Sequence, residues 1–181
     1  MTVHYRPAAP ADAAALADLG KRAFCAAFAH LYKPHNLAAF LSVEHTPGKV
    51  AVEIADPGML VQLAADEDGT LLGFCKLVLA SSLAGHASAL GSGKAPIELK
   101  QLYLDPARIG GGIGAALMDW TLDVARARGA DEIQLSVWSG NVGAQRFYAR
   151  YGFAKIADIT FCVGEQVDEE FLFARPMDPG A

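Results

Sequence analysis

Ile97-Glu-Leu-Lys-Gln-Leu-Tyr-Leu104, then Asp105-Pro106, then Arg108-Ile-Gly-Gly-Gly-Ile-Gly114 is the stretch on which the reading of this chain turns. The apolar run Ile97–Leu104 reads as a strand, and Asp105-Pro106 ends it. Beyond the glycines, Ile113, Leu117, Trp120, Val124 and Ala127 recur at steps of 4, 3, 4 and 3, which is one face of a helix that Gly129 closes. Ile133, Leu135 and Val137 then alternate with Gln134, Ser136 and Trp138, so a second strand follows. Strand, glycine turn, helix and strand make a βαβ unit with a parallel pair.

The turn itself predicts a ligand. Gly110, Gly111, Gly112 and Gly114 are four glycines in five residues, more than a tight connection needs. Without Cβ atoms the backbone approaches a bound group closely, and the first amides of the helix converge on one point. The helix dipole adds about half a positive charge there, so the turn suits phosphate or pyrophosphate. A dinucleotide-binding Rossmann unit would put these glycines after the first strand, whereas about a hundred residues precede them here, out of register with G-x-G-x-x-G. A P-loop needs a lysine after the last glycine, and Ala115 stands there.

Outward from this unit, Asn141–Tyr151 reads as a short helix capped by Gly152, with strands near Phe153–Val163 and Glu170–Arg175. Toward the N-terminus, Val3–Arg6 is a short strand and Ala11 to about His30 an amphipathic helix stopped by Pro34. Leu37–Ala55 is one or two further helices broken near Pro47-Gly48. Met59–Ala65 and Leu71–Ala80 form a hairpin through Asp66–Thr70 with a glycine at positive φ, and Ser81–Pro96 is a loop long enough to be functional. Nothing marks a linker, so residues 1–181 are expected to form one α/β domain.

Composition narrows the class. Apolar residues are 52% and charged residues 19% of the 181, with 34 alanines, as in a globular chain. No apolar run reaches the ~18 residues of a membrane span, and the N-terminus lacks a signal-peptide pattern, so a cytoplasmic location is expected. A net charge of −5 argues against a dedicated nucleic-acid binder. Cys25, Cys75 and Cys162 are scattered and fit reduced thiols rather than a disulfide or zinc frame. His30, His35, His45 and His86 have no ligand spacing, so no metal is expected.

Two motifs carry a resemblance. Leu102-Tyr-Leu-Asp-Pro106 with Gly110-Gly-Gly-Ile-Gly114 and Ala116-Leu117 resembles the acetyl-CoA motif of the GCN5-related N-acetyltransferases, the GNAT family. Asn141-x-x-Ala144-x-x-Phe147-Tyr148-x-x-x-Gly152-Phe153 resembles that family's second signature. One position departs: Ile109 stands where the family usually has Gln or Arg, with Arg108 one residue earlier. The resemblance implies a GNAT-like mixed sheet, mostly antiparallel, flanked by helices, with a central splayed parallel pair. It implies acetyl-CoA as co-substrate, its pantetheine along Leu102, Tyr103 and Leu104. Its pyrophosphate would lie on Gly110, Gly111, Gly112, Ile113, Gly114 and Ala115, with Arg108 near the turn. Asn141 faces the pantetheine, caps the helix that starts there, or does both.

The chemistry so implied needs a neutral amine, because deprotonating an alkylamine at pH 7 costs about 4–5 kcal/mol. Glu98 matches the family's glutamate base in position. Strand alternation puts its side chain with Lys100 and Leu102, where it acts as base or stands as a solvated carboxylate. Tyr148 matches the family's general acid, a phenol protonated at neutral pH that can protonate the departing thiolate. Lys100-Gln-Leu-Tyr103, Val137-Trp138 and Phe161-x-x-Gly164-x-x-x-Asp168 resemble the bacterial spermidine/spermine acetyltransferases. A small cationic amine such as a polyamine is therefore the expected acceptor, ahead of a peptide or protein amine and of a non-catalytic acyl-CoA-binding module. The oligomeric state is open between monomer and homodimer.

Overall fold

A computed structural model describes residues 2–81, 83 and 94–177. The loop expected at Ser81–Pro96 lies for the most part outside the described residues. The elements in chain order are β1 (His4–Pro7), α1 (Ala13–Phe28), α2 (Pro34–Glu44), α3 (Pro47–Ala55), β2 (Met59–Ala65), β3 (Leu71–Val78), β4 (Ile97–Leu104), α4 (Ile113–Ala127), β5 (Glu132–Trp138), α5 (Val142–Arg150), β6 (Ala154–Val163) and β7 (Gln166–Pro176). The seven strands make one sheet in the order β1-β2-β3-β4-β5-β7-β6. All neighbours are antiparallel except β4 and β5, which run parallel. This is the mixed α/β architecture expected from the motifs. No described helix is long and apolar enough to cross a membrane.

Helices cover both faces. On one, Leu117, Met118, Leu122 and Ala125 of α4 pack on Cys75, Leu77, Ile97, Leu99, Ile133, Leu135 and Val137, with Phe147 and Tyr148 of α5 at the margin. On the other, Leu16 and Leu19 of α1 and Val50 of α3 pack on Leu63, Phe74 and the half-buried Tyr103. Lys76 points into this second face, fully buried, and is paired with Glu53 of α3 at 2.5 Å.

Three local expectations change. Pro34 does not stop the first helix; α1 ends at Phe28 and runs into a single 3-10 turn, while Pro34 occupies the first turn of α2, where its missing N–H costs nothing. The buried face of α4 is centred on Leu117, Met118, Thr121, Leu122 and Ala125, leaving Trp120 and Val124 at its flank. A 3.6-residue repeat continues on either side of the true stripe, so apolar Trp120 and Val124 draw the sequence reading round the helix. The third change is on β4. Its register with β3 shifts between Lys76/Gln101 and Leu77/Leu99, leaving Lys100 as the extra residue of a β-bulge. Alternation therefore breaks there. Ile97, Leu99, Leu102 and Leu104 all face α4, and Glu98 shares the opposite face with Gln101 and Tyr103 rather than with Leu102.

Candidate functional site

The glycine turn forms where the chain leaves β4. Asp105 ends the strand, its Oδ1 accepting from the Ala107 amide at 2.9 Å while its Oδ2 accepts from Arg22 of α1 at 2.8 Å. Ile109 is 73% exposed, so its side chain holds nothing in place. Gly110 and Gly112 have φ of +90° and +81°, which favours glycine, and Gly112 is the residue before α4. The first helical bond is Ala116 N–H to the Gly112 carbonyl at 3.1 Å. The amides of Ile113, Gly114 and Ala115 precede it and have no intrahelical acceptor. Ile113 buries its side chain, so only its backbone faces the turn. A Cβ on Gly114 would point at Leu104, Leu102 and Phe147, between the end of β4 and α5. Arg108 is exposed beside the turn.

Below the turn the sheet opens. β4 and β5 pair only at Ile97/Ile133 and Glu98/Gln134. From there to Leu104 and Trp138 they diverge, so β4 presents backbone groups to a gap instead of to a partner strand. Glu98 lies at the closed end of this gap, where its carboxylate accepts from the Ser81 hydroxyl at 2.5 Å. Roughly 15 Å of strand separates it from Tyr103.

α5 lies across the gap on the α4 side. Asn141 caps it, Oδ1 accepting from the Ala144 amide at 3.1 Å. At its far end Gly152 adopts φ +81° and the Phe153 amide returns to the Tyr148 carbonyl at 3.2 Å. These two ends fix Tyr148, whose ring packs edge-on to Phe147 and Phe153 at 5.5 and 6.0 Å. Burial, with a small contribution from Cys75, pushes its phenol up to about 12. It is protonated at neutral pH.

The opposite side of the gap is aromatic and acidic. Glu170 of β7 stands directly across from Trp138 of β5. Because opposed residues of an antiparallel pair share a face, Glu170, Asp168 and Trp138 all project toward α1. There Phe28 meets the Trp138 indole edge-on at 6.2 Å, and the Tyr32 hydroxyl donates to Asp168 at 2.5 Å. Burial first, and the neighbouring Asp168 second, push the Glu170 carboxyl up to about 7. Tyr103 is held above the ordinary phenol range by burial and by the nearby Tyr148 and Glu170. The buried Oε1 of Gln101 on the same face of β4 has no partner among the described residues, leaving an acceptor for an N–H donor.

His45 supports this wall from behind. Its ring lies between Phe24, Phe40 and Tyr103, with centroids at 5.8, 6.0 and 6.1 Å. Burial, then Lys76, push it down to about 4, so it is neutral at pH 7. Gly20 of α1 makes room for it, since a Cβ there would stand 2.7 Å from His45 Nδ1. Gly20→Ala gains about 1 kcal/mol of helix propensity but must displace a ring walled in by three others, at about 1–3 kcal/mol. A net loss of about 1 kcal/mol is expected, a melting temperature lower by roughly 2–4 °C. A rise on calorimetric scanning would show that the ring yields freely.

Among the sequence-predicted residues, Leu102–Leu104, Gly110–Ala115, Asn141 and Tyr148 gather around the gap, whereas Glu98 stands at its closed end. Sequence reasoning missed Tyr32 and Glu170. The Asp168-x-Glu170 spacing was a usable signal, because period-2 carboxylates on one strand share a face.

Comparison with known proteins agrees with this geometry. Residues 21–153 match the model of the acetyltransferase (GNAT) family. An uncharacterized N-acetyltransferase of Mycobacterium tuberculosis is 30% identical over 166 residues, covering 92% of this chain and 98% of that protein. The mycothiol acetyltransferase of Beutenbergia cavernae is 35% identical over 102 residues, 56% of this chain but only 30% of its own length. Among solved structures, the PaiA N-acetyltransferase of Thermoplasma acidophilum, in complex with coenzyme A, superposes with a TM-score of 0.78 at 20% identity, covering 98% of this chain and 100% of that one.

Proposed function

This chain belongs to the GNAT family of acetyltransferases and is an N-acetyltransferase of that type, and from that premise we propose that it carries acetyl from acetyl-CoA to the primary amine of a small cationic acceptor, polyamines first among them. Residues 1–181 act in this reading as one catalytic domain. Two features suit acetyl-CoA. The unpaired amides of Ile113, Gly114 and Ala115, with no Cβ in front of Gly112, fit a pyrophosphate. The length of β4 beyond its last rung with β5 fits the extended, amide-bearing pantetheine, which would bond to the backbone at Leu102–Leu104 as an added strand does. When bound, the co-substrate supplies an activated acetyl thioester.

This chain's residues do the rest. Tyr148 donates its phenolic proton to the departing sulfur from the α5 side. The amine arrives from the α1 side, between Trp138, Phe28 and Tyr32. Asn141 holds the start of α5 and turns its amide toward the pantetheine. The observation that carries the cationic reading is the Asp168–Glu170 pair on the α1 face of β7. Aromatic rings beside two carboxylates suit an alkylammonium, at about 0.5–2 kcal/mol per cation–π contact.

Relatives named mycothiol acetyltransferase favour a second reading, an acceptor of the mycothiol type, although this chain spans only about a third of their length. The test is thiol release from acetyl-CoA across spermidine, spermine, amino sugars, cysteine-bearing amines and peptides. Turnover of polyamines above the rest is expected. Efficient acetylation of a neutral peptide N-terminus with none of spermidine would reverse the ranking.

A further inference from the structure

Resting on the acetyl-transfer reading above, we propose that Glu170 is the proton acceptor for the incoming amine: a catalytic base on β7, across the gap from the tyrosine that protonates the leaving group.

The argument is positional. Glu98 and Glu170 both project toward α1, but they stand at different heights. Glu98 is level with Gln134, the last rung where β4 and β5 still pair. Glu170 is level with Trp138, four residues further along β5, where the strands have parted. Counting from the same rung and allowing for the extra residue Lys100, Tyr103 of β4 reaches that same height. Tyr103 in turn is raised by burial and by its electrostatic neighbours Tyr148 and Glu170, one on each side of it. Glu170 and Tyr148 thus flank one point of the gap from opposite faces of the sheet, Glu170 on the amine's side and Tyr148 on the sulfur's.

The surroundings suit a base rather than an anchor already committed to a partner. The groups facing Glu170 are Asp168 on its own strand, Tyr32 from the segment after α1, Tyr103 from β4, Trp138 from β5 and Ile159 from β6. Among the described residues no lysine or arginine pairs with it, and Lys155 lies over the Phe171 ring on the opposite face. Tyr32 and Gln166 each donate to one oxygen of Asp168, a carboxylate that attracts the acceptor's second charge while Glu170 takes the proton. The environment also brings the carboxyl to about 7, matched to a base working near neutrality.

The balance closes. Glu170 takes one proton from R–NH3+, directly or through one water, and the neutral nitrogen attacks the thioester carbonyl carbon. The C–S bond breaks and the sulfur takes the Tyr148 proton. The second proton leaving the nitrogen restores the phenol, and Glu170 releases its proton to solvent. The products are the N-acetyl amine, the free thiol and one proton.

The experiment is a pH series of kcat/KM with an alkylamine acceptor for the parent, Glu170→Gln and Glu98→Gln, with acetyl-CoA affinity measured calorimetrically on each. The parent should lose activity tenfold per pH unit below about 7. Glu170→Gln should be down about 100-fold at pH 7 and recover toward pH 10, because solvent then deprotonates the amine, with acetyl-CoA affinity unchanged. A Glu170→Gln loss equal at every pH, or confined to the acceptor's KM, overturns the assignment, as does a pH-rescued loss in Glu98→Gln alone. Should Glu170→Gln not fold, the parent profile decides, and a flat profile from pH 5.5 to 8 overturns it. Failure of the parent to bind acetyl-CoA would instead remove the underlying reading.

Discussion

Tyr148→Phe should lower kcat about 100-fold at saturating substrates, while acetyl-CoA affinity changes less than fivefold. The ring is placed by the Asn141 cap, the Gly152 turn and its edge contacts with Phe147 and Phe153. Phenylalanine keeps all of these and removes only the proton donor. A general acid contributes about 10²–10⁴-fold, and the acidity of a thiol leaving group puts this case at the low end. One neutral hydrogen bond contributes only about 1 kcal/mol to affinity. Because burial holds the phenol at about 12, its ionisation should add no alkaline fall in rate below about pH 11. A kcat within threefold of the parent, with chemistry shown to be rate-limiting, would take Tyr148 out of the mechanism.

Gly112→Val should weaken acetyl-CoA binding about 100-fold in a protein that still folds. At φ +81° a β-branched residue is strained, at a cost of about 1–3 kcal/mol. Apart from its two chain neighbours, no atom of the described residues lies within 4 Å of the new Cβ, so no clash is there to unfold the chain. A melting temperature lower by roughly 4–8 °C is expected for about 2 kcal/mol. The branched side chain would stand before the amides of Ile113–Ala115, and losing one charge-assisted hydrogen bond at about 1.5–3 kcal/mol accounts for the affinity. Unchanged affinity in the folded variant would move the pyrophosphate elsewhere.

What the sequence made legible was whatever is local. β4 and the α4 start follow from residues touching their neighbours in the chain: an apolar run, a proline, a glycine cluster. Both ends of α5 follow from Asn141 and Gly152 in the same way. The aromatic and acidic wall was not legible because it is assembled across the chain. Tyr32 meets Asp168 over 136 residues, and Phe40 of α2 meets Phe161 of β6 at 5.8 Å, contacts no spacing announces. Which residues share a face with Glu98 is hidden in the sequence for a subtler reason. A bulge has no strong composition, so the extra Lys100 goes unseen until β4 is laid against β3, and one uncounted residue exchanges the faces of everything beyond it.

The two rungs that join β4 to β5 give the sheet an uneven mechanics. Four strands on one side and three on the other form two antiparallel ribbons, each stitched along its length, meeting at a seam of two residue pairs and a crossover helix. A reactant occupying that seam is also a girder. It would supply some of the cross-strand bonds the parting strands forgo, so occupancy and rigidity would rise together. At a hundredfold excess over its dissociation constant such a ligand adds about 2.7 kcal/mol to the folded state. On the proposed reading, the open seam is the joint that the co-substrate itself would close.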